Sequence, residues 1–312
     1  MNSLVSFIWS IASGSVRILL RWKILRAVRL PARVISVGNI QAGGSGKTPL
    51  VIQIAREAVE RGLVTCVLSR GYRSRMENGS AVIAPGEIDL DPFRYGDEPV
   101  LIHEAVPGAW IGVGSNRQSS FARVLARLGS PVDLIILDDG FQHWRILKDL
   151  ELVALTSSSK TEVIYRDFFS ALESSDLLIW TKGETKPQFL GKPMVKTHFK
   201  ISADFKRPLA RDQRIWLVTG VADPTSVLNS VKAGGLNVDR HVVFADHAVY
   251  LEPAVRKLMS ESAAVGALIL LTGKDWVKWR KVGIRREEIG LIEMEIDFIE
   301  GKELWRQTLW GF

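Results

Sequence analysis

Residues 34–40 read Val-Ile-Ser-Val-Gly-Asn-Ile and run straight into Gln41-Ala42-Gly43-Gly44-Ser45-Gly46-Lys47-Thr48, after which Pro49 opens an apolar-periodic stretch to about Arg61. A β-branched run without charge is a buried strand, and proline is tolerated in the first turn of a helix, where no N–H partner is lost. Between the two, residues lacking Cβ let consecutive backbone N–H groups curl around an anion at a helix N-terminus. Gly43, Gly44, Ser45 and Gly46 form that cradle, Lys47 is placed to reach β- and γ-phosphates, and the Thr48 hydroxyl to ligate Mg²⁺. The pattern G-x-x-x-x-G-K-[ST] asks for Gly where this chain has Gln41, so a bare pattern search passes over it. A strand, a glycine loop and a helix in this order predict an α/β fold with a mostly parallel sheet.

A second strand signal, Asp133-Leu-Ile-Ile-Leu-Asp138-Asp139, ends in two carboxylates and is followed by Gly140-Phe141-Gln142-His143. Ligands of open parallel sheets sit at the carboxyl ends of strands, so Asp138 is expected to hold Mg²⁺ and Asp139 to assist the metal or the acceptor. Residues 65–70 predict the neighbouring strand and lead into Ser69-Arg70-Gly71-Tyr72; Gly96-Asp97-Glu98-Pro99 follows a polar loop. Asp97 suits an acceptor of an alcohol proton, and Arg70 and Arg117 suit the neutralisation of phosphate charge. Taken alone, Asp97 equally fits a helix cap and Arg117 a solvated helix start.

With 312 residues the chain is long enough for two domains. Its one cysteine, Cys66, excludes an internal disulfide and a multi-cysteine metal cluster. The net charge of +7 is not spread evenly: residues 1–56 carry Arg17, Arg21, Lys23, Arg26, Arg29, Arg33, Lys47 and Arg56 without one acid, so the rest is near neutral. That distribution argues against a nucleic-acid binder. Residues 1–16 are uncharged and apolar-rich, and a 16-residue helix reaches about 24 Å, short of the roughly 30 Å hydrocarbon layer. The expectation is an apolar tip with a basic collar resting on an anionic membrane surface, over residues 1–30.

A fresh α/β unit starts after about Pro208 with Ile215-Trp-Leu-Val-Thr-Gly220, and continues through a strand at 240–244, Asp246-His247-Ala248-Val249-Tyr250, a strand at 267–272 and Lys274-Asp275. His247 beside Asp246 is placed like an imidazole tuned by a carboxylate. Thr272-Gly273-Lys274-Asp275 faintly echoes a guanine-recognition motif, and a membrane-bound P-loop ATPase or GTPase switch without a lipid acceptor is the alternative to a kinase.

Taken together, V-G-N-I-x-x-G-G-S-G-K-T-P, S-R-G-Y, G-D-E-P, S-N-R, L-D-D-G-F-Q-H and D-H-x-x-Y, in this order, resemble the tetraacyldisaccharide 4′-kinase family over most of the chain. The resemblance implies transfer of the ATP γ-phosphoryl to the 4′-hydroxyl of an acylated glucosamine disaccharide 1-phosphate, at the cytoplasmic face of a bacterial inner membrane. It implies a P-loop NTPase-like domain (residues 31–205) and a smaller α/β/α domain (206–312), joined by a two-stranded linker with the site in the cleft. It pairs Asp97 with His247 as a catalytic dyad acting with Lys47 and Asp139, and adds Gln142, His143 and Arg166 to Arg70 and Arg117 as substrate contacts. Three departures stand out: Ala248 replaces a second histidine, Ser45 replaces the commoner threonine, and residues 164–172 replace a Gly/Pro-rich stretch. Oligomeric state and acyl-chain preference are not legible in the sequence.

Overall fold

The computed structural model describes residues 11, 13–16, 22, 27–41, 46–156, 165–182, 191–206, 208–210 and 212–311. The expected anchor at 1–30 and the cradle residues Gly43, Gly44 and Ser45 lie largely or wholly outside them. So does Ile164.

The described strands are β1 (Arg33–Gly38), β2 (Thr65–Ser69), β3 (Ala81–Ile83), β4 (Trp110–Val113), β5 (Leu134–Asp138), β6 (Leu150–Thr156), β7 (Leu177–Lys182), β8 (Met194–Phe205), β9 (Ile215–Thr219), β10 (Val238–Val243), β11 (Leu268–Thr272) and β12 (Gly290–Glu300). They form one sheet in the order β10-β9-β11-β12-β8-β7-β6-β1-β5-β2-β4-β3. Pairing is parallel except at β3–β4 and along the long β8–β12 ribbon. The fold is mixed α/β with a large, mostly parallel sheet, as the strand–loop–helix signal predicts. Strands β2, β5, β9 and β11 are buried along their whole length, which is why they read as continuous apolar runs rather than alternating ones.

The helices are α1 (Lys47–Glu60), α2 (Pro92–Tyr95), α3 (Asp97–Ala105), α4 (Arg117–Leu128), α5 (Pro224–Ala233), α6 (Glu252–Ala264), α7 (Gly273–Trp279) and α8 (Lys302–Trp310). One core cluster packs around α1 and β1 and takes in Val277 of α7, and another packs around β9, β11 and Trp279 of α7, so α7 contributes to both apolar interiors on the shared sheet. After β12 the chain returns to the first half: the indoles of Trp305 and Trp310 donate to Glu57 of α1 at 3.2 and 2.6 Å.

Two features of this layout bring the chemistry together. Register pairs Val37 of β1 with Asp138 of β5, which sets the phosphate-loop entrance beside the acidic strand end. Across the halves, α3 lies against α7, with a Cβ at Gly273 reaching within 2.8 Å of Leu101 and Arg280 ion-paired to Glu104.

Candidate active site

The phosphate-loop half is built at the carboxyl ends of β1 and β5. Gly46 stands at φ +77° as the residue before α1, a left-handed conformation that glycine adopts without strain. Lys47 points its Nζ at Asn39 Oδ1 (3.1 Å) and Asp139 Oδ1 (3.4 Å), while Thr48 follows half-buried in the first turn. Gln41 finds its explanation here. Its side-chain amide exchanges two hydrogen bonds with the backbone of Thr156, at 2.9 and 3.0 Å, so it stitches the loop to the end of β6 as glycine could not.

Asp138 is buried and accepts the Ser69 hydroxyl at 2.7 Å. Burial, the negative charge of Glu98 and that of Asp139 push its carboxyl up to about 7, against the pull of Ser69 and Arg117. Asp139 takes the opposite course: burial acts to raise it, but Lys47 and Arg166, the latter bonded at 2.9 Å, hold it far below the usual carboxylate range. Asp139 also sits at φ +52°, an unfavourable region for a residue with a side chain, held there by its two cations. Adjacent carboxyls with opposite tendencies mark a site where charge is arranged for a ligand. Among the described residues no group of three or more His, Cys, Asp or Glu side chains could hold a metal ion unaided.

The facing half of the site joins two loops and two helices. Gly96, at φ +99°, precedes α3, and a Cβ there would lie 3.0 Å from Gly71 Cα; this close approach seats the Ser-Arg-Gly-Tyr loop against the start of α3. Asp97 is the first residue of α3. His247, on the loop after β10, reaches it from the second half with Nδ1 at 3.2 Å from Asp97 Oδ2, and the Tyr72 ring meets the imidazole edge-on at 5.5 Å. The lysines of α7 complete the cluster: Lys278 Nζ is 3.0 Å from Asp97 Oδ2, and Lys274 Nζ is 3.1 Å from His247 Nε2 and 3.0 Å from Asp246 Oδ1. Burial acts to raise the Asp97 carboxyl, but the bond from His247 and the Lys278 ammonium outweigh it and hold the group below its ordinary value. His247, like Asp139, is a non-glycine residue at positive φ, +61°.

The remaining expected residues fall into three situations. Arg166 faces the phosphate-loop half through Asp139, and its carbonyl accepts the Ser13 hydroxyl at 3.1 Å, which ties residues 13–16 to the rim of the site. Arg117 is buried beneath the site rather than on a solvated face: it donates to the carbonyls of Gly114 (2.7 Å) and Asp138 (3.3 Å), and burial lowers its pKa to about 10 against the pull of the two aspartates. Gln142 braces the loop through a 2.9 Å bond to Asn39 O. His143 is half-buried with no hydrogen-bond partner at Nε2; burial and the charge of Arg117, Lys148 and Arg145 bring it down to about 4. Arg70 is pinned to Glu77 at 2.8 Å and stays half-exposed beside Tyr72.

Asn39, Ser69, Tyr72, Lys274 and Lys278 also belong to this constellation. The first four stand inside motifs legible in the sequence that assign them no individual role, whereas Lys278 lies in a Trp-Val-Lys-Trp run that reads as core. The guanine-motif echo is a structural knot: Asp275 is fully buried and accepts from Thr272 and Tyr250 hydroxyls, both at 2.6 Å, and from Gly220 N–H.

Comparison with known proteins agrees along the whole chain. A tetraacyldisaccharide 4′-kinase of Geobacter metallireducens is 32% identical over 301 residues, covering 90% of this chain and 88% of that protein. The protein of the same name from Geobacter sulfurreducens is 33% identical over 264 residues, covering 78% and 74%. The fold matches that of the LpxK of Aquifex aeolicus, whose crystal structure is a complex with ATP, at a TM-score of 0.78, covering 98% of this chain and 96% of that one at 23% identity. The family model for LpxK, tetraacyldisaccharide-1-P 4′-kinase, spans residues 3–310 and so takes in the loop, the acids, the Asp97–His247 contact and the ribbon between the halves. By that span, and by the relatives that share it, this chain belongs to the tetraacyldisaccharide 4′-kinase family.

Proposed function

We propose that this protein is an ATP-dependent lipid kinase that phosphorylates the 4′-hydroxyl of an acylated glucosamine disaccharide 1-phosphate. The observation that carries the reading is the Asp97–His247 contact, 3.2 Å long, which joins the two halves beside a phosphate loop; a nucleotide switch without an acceptor has no use for it. In this proposal the chain divides into residues 31–205 and 206–312; the core cluster around β9 and β11, made of residues 216–289, supports that division, while Val277 and α8 pack on the first half.

In this reading ATP lies with its terminal phosphates over the loop, held by the backbone of residues 43–46 and by Lys47. The donors suit magnesium: Thr48 and Asp138 offer oxygens only, and the carboxyl of Asp138, pushed up to about 7 by burial and Glu98, is one that a divalent cation would relieve. Thr48 and Asp138 would hold the Mg²⁺, whose chemistry there would be the neutralisation of phosphate charge. Asp97 accepts the proton of the sugar hydroxyl as that oxygen forms its bond to the γ-phosphorus, the bond to the β–γ bridging oxygen breaks, and ADP leaves with the electron pair. Such a transition state is loose, so positioning and charge neutralisation do most of the work, with Lys47, Arg166 and Asp139 fixing the electrostatics and Arg70, Gln142 and His143 lining the approach.

With γ-labelled ATP, Mg²⁺ and the acylated disaccharide in detergent micelles, label enters the lipid. Label released only as free phosphate, equally with and without lipid, rejects the kinase in favour of the ATPase switch.

The same reading places the enzyme at the cytoplasmic face of the inner membrane, resting on anionic lipid through residues 1–30. Among the described residues no helix is long and apolar enough to cross a membrane, and the basic, acid-free sequence up to Arg56 supports surface attachment. Deletion of residues 1–30 is expected to abolish flotation with vesicles containing anionic lipid, most visibly at low salt; undiminished flotation removes the anchor from the account.

A further inference from the structure

The two lysines of α7 are four residues apart and so project from one face of the helix. Their ammonium groups meet opposite ends of the Asp97–His247 pair. Lys274 Nζ lies 3.1 Å from His247 Nε2 and is held from behind by Asp246 at 3.0 Å. Lys278 is 4% exposed, and its Nζ lies 3.0 Å from Asp97 Oδ2 and 3.1 Å from the carbonyl of Ala248.

An ammonium has protons and no lone pair, so it only donates. The imidazole nitrogen that faces Lys274 therefore presents a lone pair, and the ring proton resides on Nδ1, which points at Asp97 Oδ2 from 3.2 Å. That carboxylate oxygen then receives two donors, the Nδ1–H and the Lys278 ammonium. Oδ1 is left as the acceptor of Asp97 for an incoming proton.

Resting on the kinase reading above, we propose that Lys274 and Lys278 are positioning residues that assign the protons of the pair: Lys274 keeps His247 Nε2 unprotonated, and Lys278 occupies Asp97 Oδ2, so that Oδ1 receives the proton of the acceptor hydroxyl. Helix α7 is thereby the part of the second half that prepares the base, and phosphoryl transfer depends on its contact with α3. The groups gathered around the pair are Tyr250 from the loop after β10, Asp246 from the same loop with its Oδ2 3.8 Å from His247 Nε2, farther than the Lys274 ammonium, Lys274 and Lys278 from α7, Glu98 from the helix of Asp97, and Tyr72 from the loop after β2.

The test is Lys278→Met in the full-length enzyme, assayed with ATP and the acylated disaccharide. Turnover is expected to fall about 10²-fold with both KM values within about threefold of wild type. The acid limb of kcat/KM is expected to rise by about one to three pH units, because loss of a neighbouring cation makes Asp97 easier to protonate. Lys278→Arg, which keeps the charge, is expected to recover part of the turnover and return the acid limb toward wild type. Wild-type turnover with an unmoved acid limb in Lys278→Met overturns the proposal. Should that variant fail to fold, ¹⁵N-imidazole spectra of the wild-type chain decide. Of its five histidines, the His247 signals are assigned through His247→Gln, and are expected to show a protonated Nδ1 and a lone-pair Nε2 that changes in Lys274→Gln. A proton found on Nε2 overturns the assignment. An enzyme that labels no lipid rejects the kinase reading, whereas an active enzyme with either contrary result rejects the lysine assignment alone.

Discussion

Asp97→Ala is expected to lower turnover on the lipid acceptor by about 10²- to 10⁴-fold while leaving ATP affinity within about threefold of wild type. The asymmetry follows from where Asp97 stands. It opens α3 and faces His247 and Lys278, whereas Asn39 follows β1 and Lys47 opens α1, so in the proposed mechanism its loss removes the proton acceptor and spares the nucleotide cradle. A carboxyl held below its ordinary value is a weak base, and it serves here because the sugar hydroxyl becomes acidic only as its oxygen bonds to phosphorus. The Ala variant carries a second cost: it strips the buried Lys278 ammonium of its carboxylate, a change worth about 3–5 kcal/mol in comparable buried pairs. Asp97→Asn separates the two effects, since the amide oxygen can still accept from Lys278 but takes no proton. Single-turnover kinetics together with nucleotide titration check both variants; near-normal transfer in Asp97→Asn with an intact fold removes Asp97 from the proton-accepting role.

The phosphate-loop side of the proposed site is legible in the sequence because its signals are local. A charge-free strand, a Gly-rich loop and Gly-Lys-Thr-Pro specify β1, the left-handed Gly46 and the start of α1 within fifteen residues. The acid pair at 138–139 is likewise read from one apolar run, and β1–β5 register places it next to the loop. The acceptor side depends on contacts of large sequence separation. Asp97 and His247 lie 150 residues apart, and neither is distinguishable from a cap or a surface histidine until α3 and α7 are packed. The resemblance to a family supplied that pairing; composition and periodicity could not. Lys278 is not legible because a lysine between tryptophans reads as the edge of a core stripe, and Gln41 shows in the sequence only as a departure from the phosphate-loop pattern because its partner, Thr156, lies 115 residues on. The sheet held one more surprise. The sequence predicts two units, whereas β8 and β12 pair antiparallel over their length and make both halves one continuous sheet, so any change in cleft width must be accommodated by that ribbon or its ends.

Lys47→Met tests the other side of the cleft and is expected to reduce turnover on the order of 10³-fold, with weakened ATP binding as well. Lys47 bridges Asn39 and Asp139, and Asp139 is also bonded by Arg166. Loss of Lys47 therefore leaves Asp139 with one cation, still ionised and still held at its positive φ, and the fold is expected to survive. What disappears is the cation that meets the charge developing on the transferred phosphoryl, a contribution realised mainly in the transition state. The effect on turnover should accordingly exceed that on binding, the reverse of what a residue that merely holds ATP would give. Lys47→Arg is not expected to rescue, because a planar five-donor fork does not fit where a point charge sits between an amide oxygen and a carboxylate 3.1 and 3.4 Å away. Stopped-flow nucleotide binding and single-turnover phosphate transfer measure the two quantities separately. Loss of binding with a chemical step unchanged would reduce Lys47 to an anchor and pass the charge-neutralising role to Arg166, the other cation on Asp139.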